Sequence, residues 1–329
     1  MRASSCLFLL TALAQPLYAA APQWQNECVG YYQLQLPARI APVVFPAGNF
    51  IHPPLLDAVY GDYRAGIVSK RAMPANLQAY RNNVQASKTA FSPPDSFLIK
   101  EYPQAFTLYE PTRHTVYINR GKRWFHFWPT HPSGQSRSAD DQWRNNDARV
   151  QLLTTHFRSR ALFDIPATPG FCLPFGFIAA DSGDEYHNVA ATWRLKHAPD
   201  VTIHFQTLGL PSEPGQQVKL TDKAWMTQLW ARRYQRPPVA KTVIEPQWRV
   251  TRMAERYGLS TFIESTFVDG SHGFDYIAWV AGDPLAPGKT PGLLLHIMLD
   301  SRREGNKSRM TQAALEEMAE AFAASVKRR

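Results

Sequence analysis

The sequence predicts an α+β protein of two domains, each an antiparallel sheet packed with a few helices. Three observations carry that expectation. Short segments alternate apolar and polar residues with the period of two that a half-buried strand requires. A few longer segments place apolar residues on one helical stripe. Strands and helices do not alternate strictly along the chain, which argues against a doubly wound parallel sheet.

Residues 1–21 read as a secretory signal peptide. Met1-Arg2 gives the positive start, Cys6 to Ala14 a mostly apolar run, and Tyr18-Ala19-Ala20-Ala21 the small residues of a cleavage site. Pro22 disfavours a cut directly after Ala21, so Ala19 or Ala20 is expected. The run is too short to cross roughly 30 Å of hydrocarbon at 1.5 Å per residue. Cys6 opens the run instead of following it, which is the wrong place for a lipoprotein cysteine. A periplasmic chain with no integral membrane segment after cleavage is expected.

The mature chain opens with a strand in which Tyr32, Leu34 and Leu36 alternate with Gln33 and Gln35, ended by Pro37. A proline-rich stretch leads to a helix starting near Pro74, with Leu77, Tyr80 and Val84 on one stripe. His114–Asn119 and Arg123–Trp128 form a hairpin across Arg120-Gly121-Lys122. A longer helix spans roughly Asp141 to Leu162 on the stripe Val150, Leu153, Phe157 and Ala161. Two prolines and a glycine in Ile165-Pro166-Ala167-Thr168-Pro169-Gly170 set the domain boundary, giving domains 22–165 and 166–329.

The second domain starts with an apolar strand from Phe171 to Ile178. A hairpin pairs Asn188–Leu195 with Val201–Gln206, and a helix forms around Trp225, Leu229 and Arg233. Strands follow at Ser260–Val268, Phe274–Ala281 and Gly292–Leu299, the first two joined by the turn residues Asp269 to Gly273. A closing helix carries Leu315, Met318, Phe322 and Val326, with Lys327-Arg328-Arg329 at its negative end.

Hydrophobic content of 44% and charged content of 19% suit a globular chain with a sizeable core. Loss of Arg2 with the tag takes the formal charge of +9 down by one. The excess is not one long basic run, and without a recognisable motif it does not make a nucleic-acid binder. It suits a mildly basic surface, or attraction to an acidic protein partner or an anionic membrane face. Of three cysteines, Cys28 and Cys172 survive export. In an oxidising compartment that even pair suggests one disulfide; the alternative is two free buried thiols.

Catalytic signatures are absent from the sequence. There is no Gly-x-Ser-x-Gly elbow: Asp181-Ser182-Gly183-Asp184 lacks the first glycine and Gly270-Ser271-His272-Gly273 is one residue short. His126 and His131 stand five apart among aromatic residues, unlike any zinc or calcium motif. Glycine-rich phosphate loops are missing as well. No catalytic residue, cofactor or metal is expected; a triad or carboxylate pair assembled from distant positions stays open. Nine tryptophans are many for this length. Each is by default a core residue, but Trp230 beside Arg232 and Arg233 has hot-spot chemistry, and these three are the candidate partner-binding residues.

Three segments, in order, resemble one family. Cys28-Val29-Gly30-Tyr31-Tyr32-Gln33-Leu34-Gln35-Leu36-Pro37 resembles the opening of type VI secretion lipase-immunity proteins. Phe171-Cys172-Leu173-Pro174-Phe175-Gly176-Phe177-Ile178 is similar to the start of their C-terminal domain, and Phe274 to Gly282 to a later strand of it. One departure is that Gly258 is followed by Leu259 and Ser260 where the family pattern has an acidic pair. The resemblance implies a periplasmic two-domain protein, not an enzyme, that inhibits a cognate antibacterial phospholipase effector by clamping its lid region. The alternatives are an exported hydrolase with a dispersed active site and an envelope ligand-binding module.

Overall fold

The computed structural model describes residues 24–38, 40–42, 58–69, 76–120, 123–129, 138–209, 223–224, 226–227, 239–304 and 310–329. The signal peptide lies outside the described residues.

Up to residue 165 the chain forms β1 (Trp24–Val29), β2 (Tyr32–Pro37), β3 (Ile40–Pro42), β4 (Ala58–Tyr60), β5 (Tyr63–Ser69) and α1 (Leu77–Phe91). It continues with β6 (Leu98–Tyr102), β7 (Ala105–Glu110), β8 (Arg113–Arg120), β9 (Arg123–Pro129), α2 (Ala139–His156) and β10 (Phe157–Ser159). Beyond it come β11 (Gly170–Leu173), β12 (Gly176–Ala179), β13 (His187–Leu195), β14 (Val201–Leu208), β15 (Ala240–Val243) and β16 (Arg249–Met253). The last elements are β17 (Arg256–Thr266), β18 (His272–Val280), β19 (Gly292–Asp300), α3 (Gln312–Ser325) and β20 (Lys327–Arg328).

The fold is α+β, with every strand pairing antiparallel. A sheet of 14 strands runs in the order β15-β17-β18-β19-β14-β13-β4-β5-β9-β8-β7-β6, with β16 added on β17 and β3 on β13. Two three-stranded sheets, β1-β2-β20 and β10-β12-β11, pack beside it. Each of the three sheets contains strands from both sides of residue 165. One hydrophobic cluster accordingly draws on both, from Tyr32 and Phe127 to Phe205, Ile297 and Phe322.

The alternation rules place that cluster. In β14, Val201, Ile203 and Phe205 face it, and α3 closes it with Leu315, Met318, Ala319 and Phe322. Helix α1 lays Leu77, Tyr80 and Val84 over Phe106 and Trp124, a separate small core. The hairpin β8–β9 forms with Arg120 opposite Arg123.

Three expectations need correction. The long helix ends at His156, and Phe157 turns into a strand. The reason is a competing burial: Phe157 is fully buried, its ring 4.5 Å from Phe125. Arg120 meanwhile takes the freed carbonyls of Thr154 at 3.0 Å and Phe157 at 3.3 Å. The apolar run from Phe171 to Ile178 is a hairpin, not one strand. Pro174 has no N–H for a ladder, and Phe175 adopts φ 63 to make the turn. Finally, the terminal basic cluster does not sit in the last turn of α3, which is capped at Val326. Lys327 and Arg328 pair instead with Gln33 and Tyr32 of β2. In the segment expected as a helix around Trp225, residues 223, 224, 226 and 227 are helical; Trp225, Leu229 and Arg233 lie outside the described residues.

Candidate functional site

A cleft opens where α2, the β4–β5 turn and the segment after β12 converge. Its first hollow, about 160 Å³, is lined by Tyr60, Tyr63, Arg149, Leu152, His156 and Asp181, among others. A second, about 130 Å³, lies on the other side of Arg149 and Tyr63, against His114, Gln142 and Asn146. Helix α2 supplies one wall. Its buried stripe, Val150, Leu153 and Thr154, leaves Arg149 and Leu152 turned toward the opening, and Leu152 is 60% exposed. An exposed leucine beside two tyrosines is the composition of a contact surface.

Arg149 is the electrostatic centre of the mouth. Its guanidinium pairs with Asp62 of the β4–β5 turn, lies 3.9 Å from Glu185 and sits 5.5 Å over the Tyr63 ring. Gly61 permits this approach: it adopts φ +54, and a Cβ there would stand 2.6 Å from Nη2 of Arg149.

Asp181 pins the opposite wall. One carboxylate oxygen accepts from Tyr31 Oη at 2.5 Å and from Gly183 N at 2.6 Å, and the other accepts from Tyr60 Oη. Burial first, then the bond to Asp181, pushes both phenols far above the ordinary tyrosine range, so they remain donors. Below them His187 stacks edge-on to Tyr31 at 4.8 Å and to Phe171 at 5.4 Å. Burial lowers its pKa to about 4, so it is neutral at pH 7. His114, which meets Tyr63 Oη at 2.9 Å, is also lowered to about 4, by burial and then by Arg149.

The wall behind the cleft is a buried joint. Cys28 of β1 and Cys172 of β11 are disulfide-bonded, 144 residues apart in sequence and fully buried. Gly30 and Cys172 exchange backbone hydrogen bonds at 2.8 and 2.9 Å. Beside them Arg160 pairs with Glu27 at 2.7 Å, both side chains almost wholly buried. Arg160 also donates to the carbonyls of Cys28, Leu173 and Gly176 at 3.0, 3.0 and 3.2 Å. Glu27 in turn accepts from the backbone N–H groups of Cys28 at 2.7 Å and Phe163 at 3.0 Å. Arg329 completes the joint, with Nη1 3.0 Å from Cys172 Sγ and Nη2 donating to Thr168 O at 3.1 Å.

The serines weighed for catalysis serve turns. Ser182 Oγ accepts from Asp184 N at 3.3 Å, and Ser271 Oγ donates to Asp269 at 2.5 Å. His126 stacks in a ring cluster with Tyr80 and Tyr117. Trp230, Arg232 and Arg233 lie outside the described residues. The cleft residues were not singled out by sequence as partners. Asp181 stood only in a failed catalytic motif, and Arg149 lies on the long helix outside its apolar stripe. The cleft offers shape, an apolar wall and a charged rim, and no activated nucleophile among the described residues.

What this arrangement belongs to is decided by comparison. Residues 164–323 match the family model described as Tle cognate immunity protein 4 C-terminal domain. Residues 164–323, just under half of the chain, carry that immunity-protein domain. No curated protein sequence matches the chain. Among solved structures, the chain is similar to the immunity protein TplEi of the type VI secretion system from Pseudomonas aeruginosa complexed with "L" peptide. The TM-score is 0.64 at 15% identity, over 93% of this chain and 98% of that one. It is likewise similar to a chain of the Tle4-Tli4 complex, with a TM-score of 0.62 at 15% identity, over 93% and 97% of the two chains. At such identities the likeness is one of fold, and it spans both sides of residue 165.

Proposed function

We propose that this chain is a periplasmic immunity protein that binds and inhibits a cognate type VI secretion phospholipase effector, by clamping its lid region. The observation that carries the reading is the family match over residues 164–323. Export is part of the same proposal: the tag at residues 1–21 supports it, and no described helix is long and apolar enough to cross a membrane. So is the two-domain division after residue 165, supported by the start of the family match at residue 164.

The cleft around Arg149 and Asp181 is the proposed seat of the effector segment. It presents aromatic and aliphatic surface between charged walls contributed by both sides of the boundary, which suits capture of a protruding element. Trp230, Arg232 and Arg233 are proposed as additional partner contacts, through complementary charge. The test is inhibition and complex formation with the lipase encoded beside this gene. The mature chain is expected to form a stable complex and abolish phospholipid hydrolysis in vitro. Leu152→Asp in the cleft is expected to weaken the complex at least tenfold. No complex with the neighbouring lipase defeats the assignment; a complex indifferent to Leu152→Asp defeats the placement of the seat.

A further inference from the structure

We infer that the Cys28–Cys172 disulfide is a redox latch on the cleft, so that the protein becomes a tight binder only once it is oxidised. The inference rests on the cleft being the effector-binding face. Its physical basis is the short path from the sulfur atoms to the cleft wall. Cys28 stands three residues before Tyr31, and the intervening Gly30 is fixed to Cys172 by a pair of backbone hydrogen bonds. Gly30 adopts φ +59, and a Cβ there would lie 3.0 Å from Val189, so the turn that delivers Tyr31 is tightly enclosed. Tyr31 Oη then holds Asp181, which lines the cleft.

The second arm of the path leads from Cys172 through the β11–β12 hairpin. Strand β12 ends at Ala179, and the cleft wall from Ala179 to Glu185 follows directly. Both arms leaving the disulfide therefore end on Asp181. No other covalent link joins β1 to β11, and the two strands share no ladder beyond the isolated Gly30–Cys172 bridge. The other ties across the joint are noncovalent, among them Arg160 with Glu27 and with the carbonyls of Cys28 and Leu173, Arg329 at the sulfur of Cys172, and the Tyr31 ring 5.1 Å from Phe171.

Reduction by a dithiol is a two-electron step. The S–S bond breaks, each sulfur takes up one electron and one proton, and the dithiol leaves as its own disulfide. The two thiols that result are larger in combined contact distance than the bond they replace, inside a fully buried site. With the bond gone, β1 and β11 are free to shift apart at this site, and the Tyr31–Asp181 contact that depends on both arms loosens. Before export, in a reducing compartment, the cleft is then unlatched; after export it closes into its binding shape.

Two measurements test this. The first needs no effector: hydrogen exchange of the amides from 180 to 186 in the oxidised mature protein, in the protein reduced with dithiothreitol, and in Cys28→Ala/Cys172→Ala. Exchange at 180–186 is expected to quicken at least tenfold on reduction while β7 and β8 keep their protection. Unchanged exchange at 180–186 overturns the latch, as does a uniform rise across β7 and β8, which reports global loosening. The second is dissociation of the neighbouring lipase from the same forms and from Tyr31→Phe, at a temperature where near-UV circular dichroism shows each form folded. Reduction is expected to speed dissociation at least tenfold in wild type and by less than threefold in Tyr31→Phe, because both changes release the same wall. Equal dissociation of oxidised and reduced protein overturns the inference. Failure of even the oxidised protein to bind, with exchange at 180–186 responding as expected, overturns the functional reading and leaves the latch standing.

Discussion

Replacing Arg160 by methionine is expected to be among the most damaging single changes in the molecule. Its side chain is 3% exposed and its partner Glu27 is 1% exposed. Methionine keeps most of the apolar stem and removes the guanidinium. Glu27 would retain two backbone donors, Cys28 N and Phe163 N, but it would be a buried carboxylate without a counter-charge. Breaking a buried pair from one side costs about 3–5 kcal/mol. The carbonyls of Cys28, Leu173 and Gly176 also lose their donor, and each buried acceptor left unpaired adds on the order of 1 kcal/mol. These terms share one site and do not sum, so the expected loss is about 4 kcal/mol or slightly more. At about 2–4 °C per kcal/mol for chains of somewhat smaller size, the melting temperature falls by about 8 °C or more. Urea denaturation, followed by tryptophan fluorescence, measures the loss directly. Arg160→Lys should recover less than half of it, because an ammonium cannot serve several carbonyls in a plane. Glu27→Gln/Arg160→Met should lose less than the two single changes combined, since no unpaired charge remains. A loss below about 1 kcal/mol for Arg160→Met would refute the reasoning.

His114 and His187 make stability depend on pH in a defined direction. Both have folded pKa values of about 4, below the unfolded value of about 6.5. The unfolded chain therefore binds more protons between these values. Their contribution is fully present above pH 6.5 and is lost progressively as pH falls from 6.5 toward 4, by about 3 kcal/mol for each ring. Histidine C2–H resonances should show two rings with midpoints near 4, and titration of every ring between 6 and 7 would contradict the assignment. In the core, Phe322→Ala removes a fully buried ring of α3 that stands 6.1 Å from Phe205. The expected cost is about 3–5 kcal/mol in urea denaturation, and a value under 1 kcal/mol would show that α3 is not a closing element.

Local periodicity made much of the fold legible, and its failures share a cause. Val150, Leu153 and Phe157 continue one helical stripe, so nothing in the spacing says that the chain leaves the helix at 156. What ends it is Arg120, distant in sequence, taking the helix carbonyls, while the Phe125 ring receives Phe157. The run from Phe171 to Ile178 hides its turn for a related reason. Five of these eight residues are buried hydrophobics, so both strands lack the polar alternation that would have marked two segments. The disulfide was legible because it needs only a count of cysteines and a compartment. The cleft was not, because Tyr31, Tyr60, Arg149 and Asp181 come from four separate segments. Tyr31 and Asp181 stand 150 residues apart.

The terminal basic residues show the same limit in its sharpest form. A dipole argument places Lys327, Arg328 and Arg329 against the end of a helix, and it uses nothing beyond the neighbouring turn. In the folded chain α3 stops first, and the extended segment adds a third strand to β1-β2. Arg328 then donates to Gly183 O at 2.7 Å, behind the cleft wall, while Arg329 N donates to Tyr31 O at 2.8 Å. These terminal charges are thus partly committed to holding Tyr31 and the segment around Asp181 in place. Net charge remains a sound argument about long-range encounter. It is a poor guide to which cations a partner meets, because the arginines nearest the cleft are already bound to this protein's own carbonyls and carboxylates. The contacts that decide specificity should therefore come from the exposed apolar wall at Leu152 more than from the arginine count.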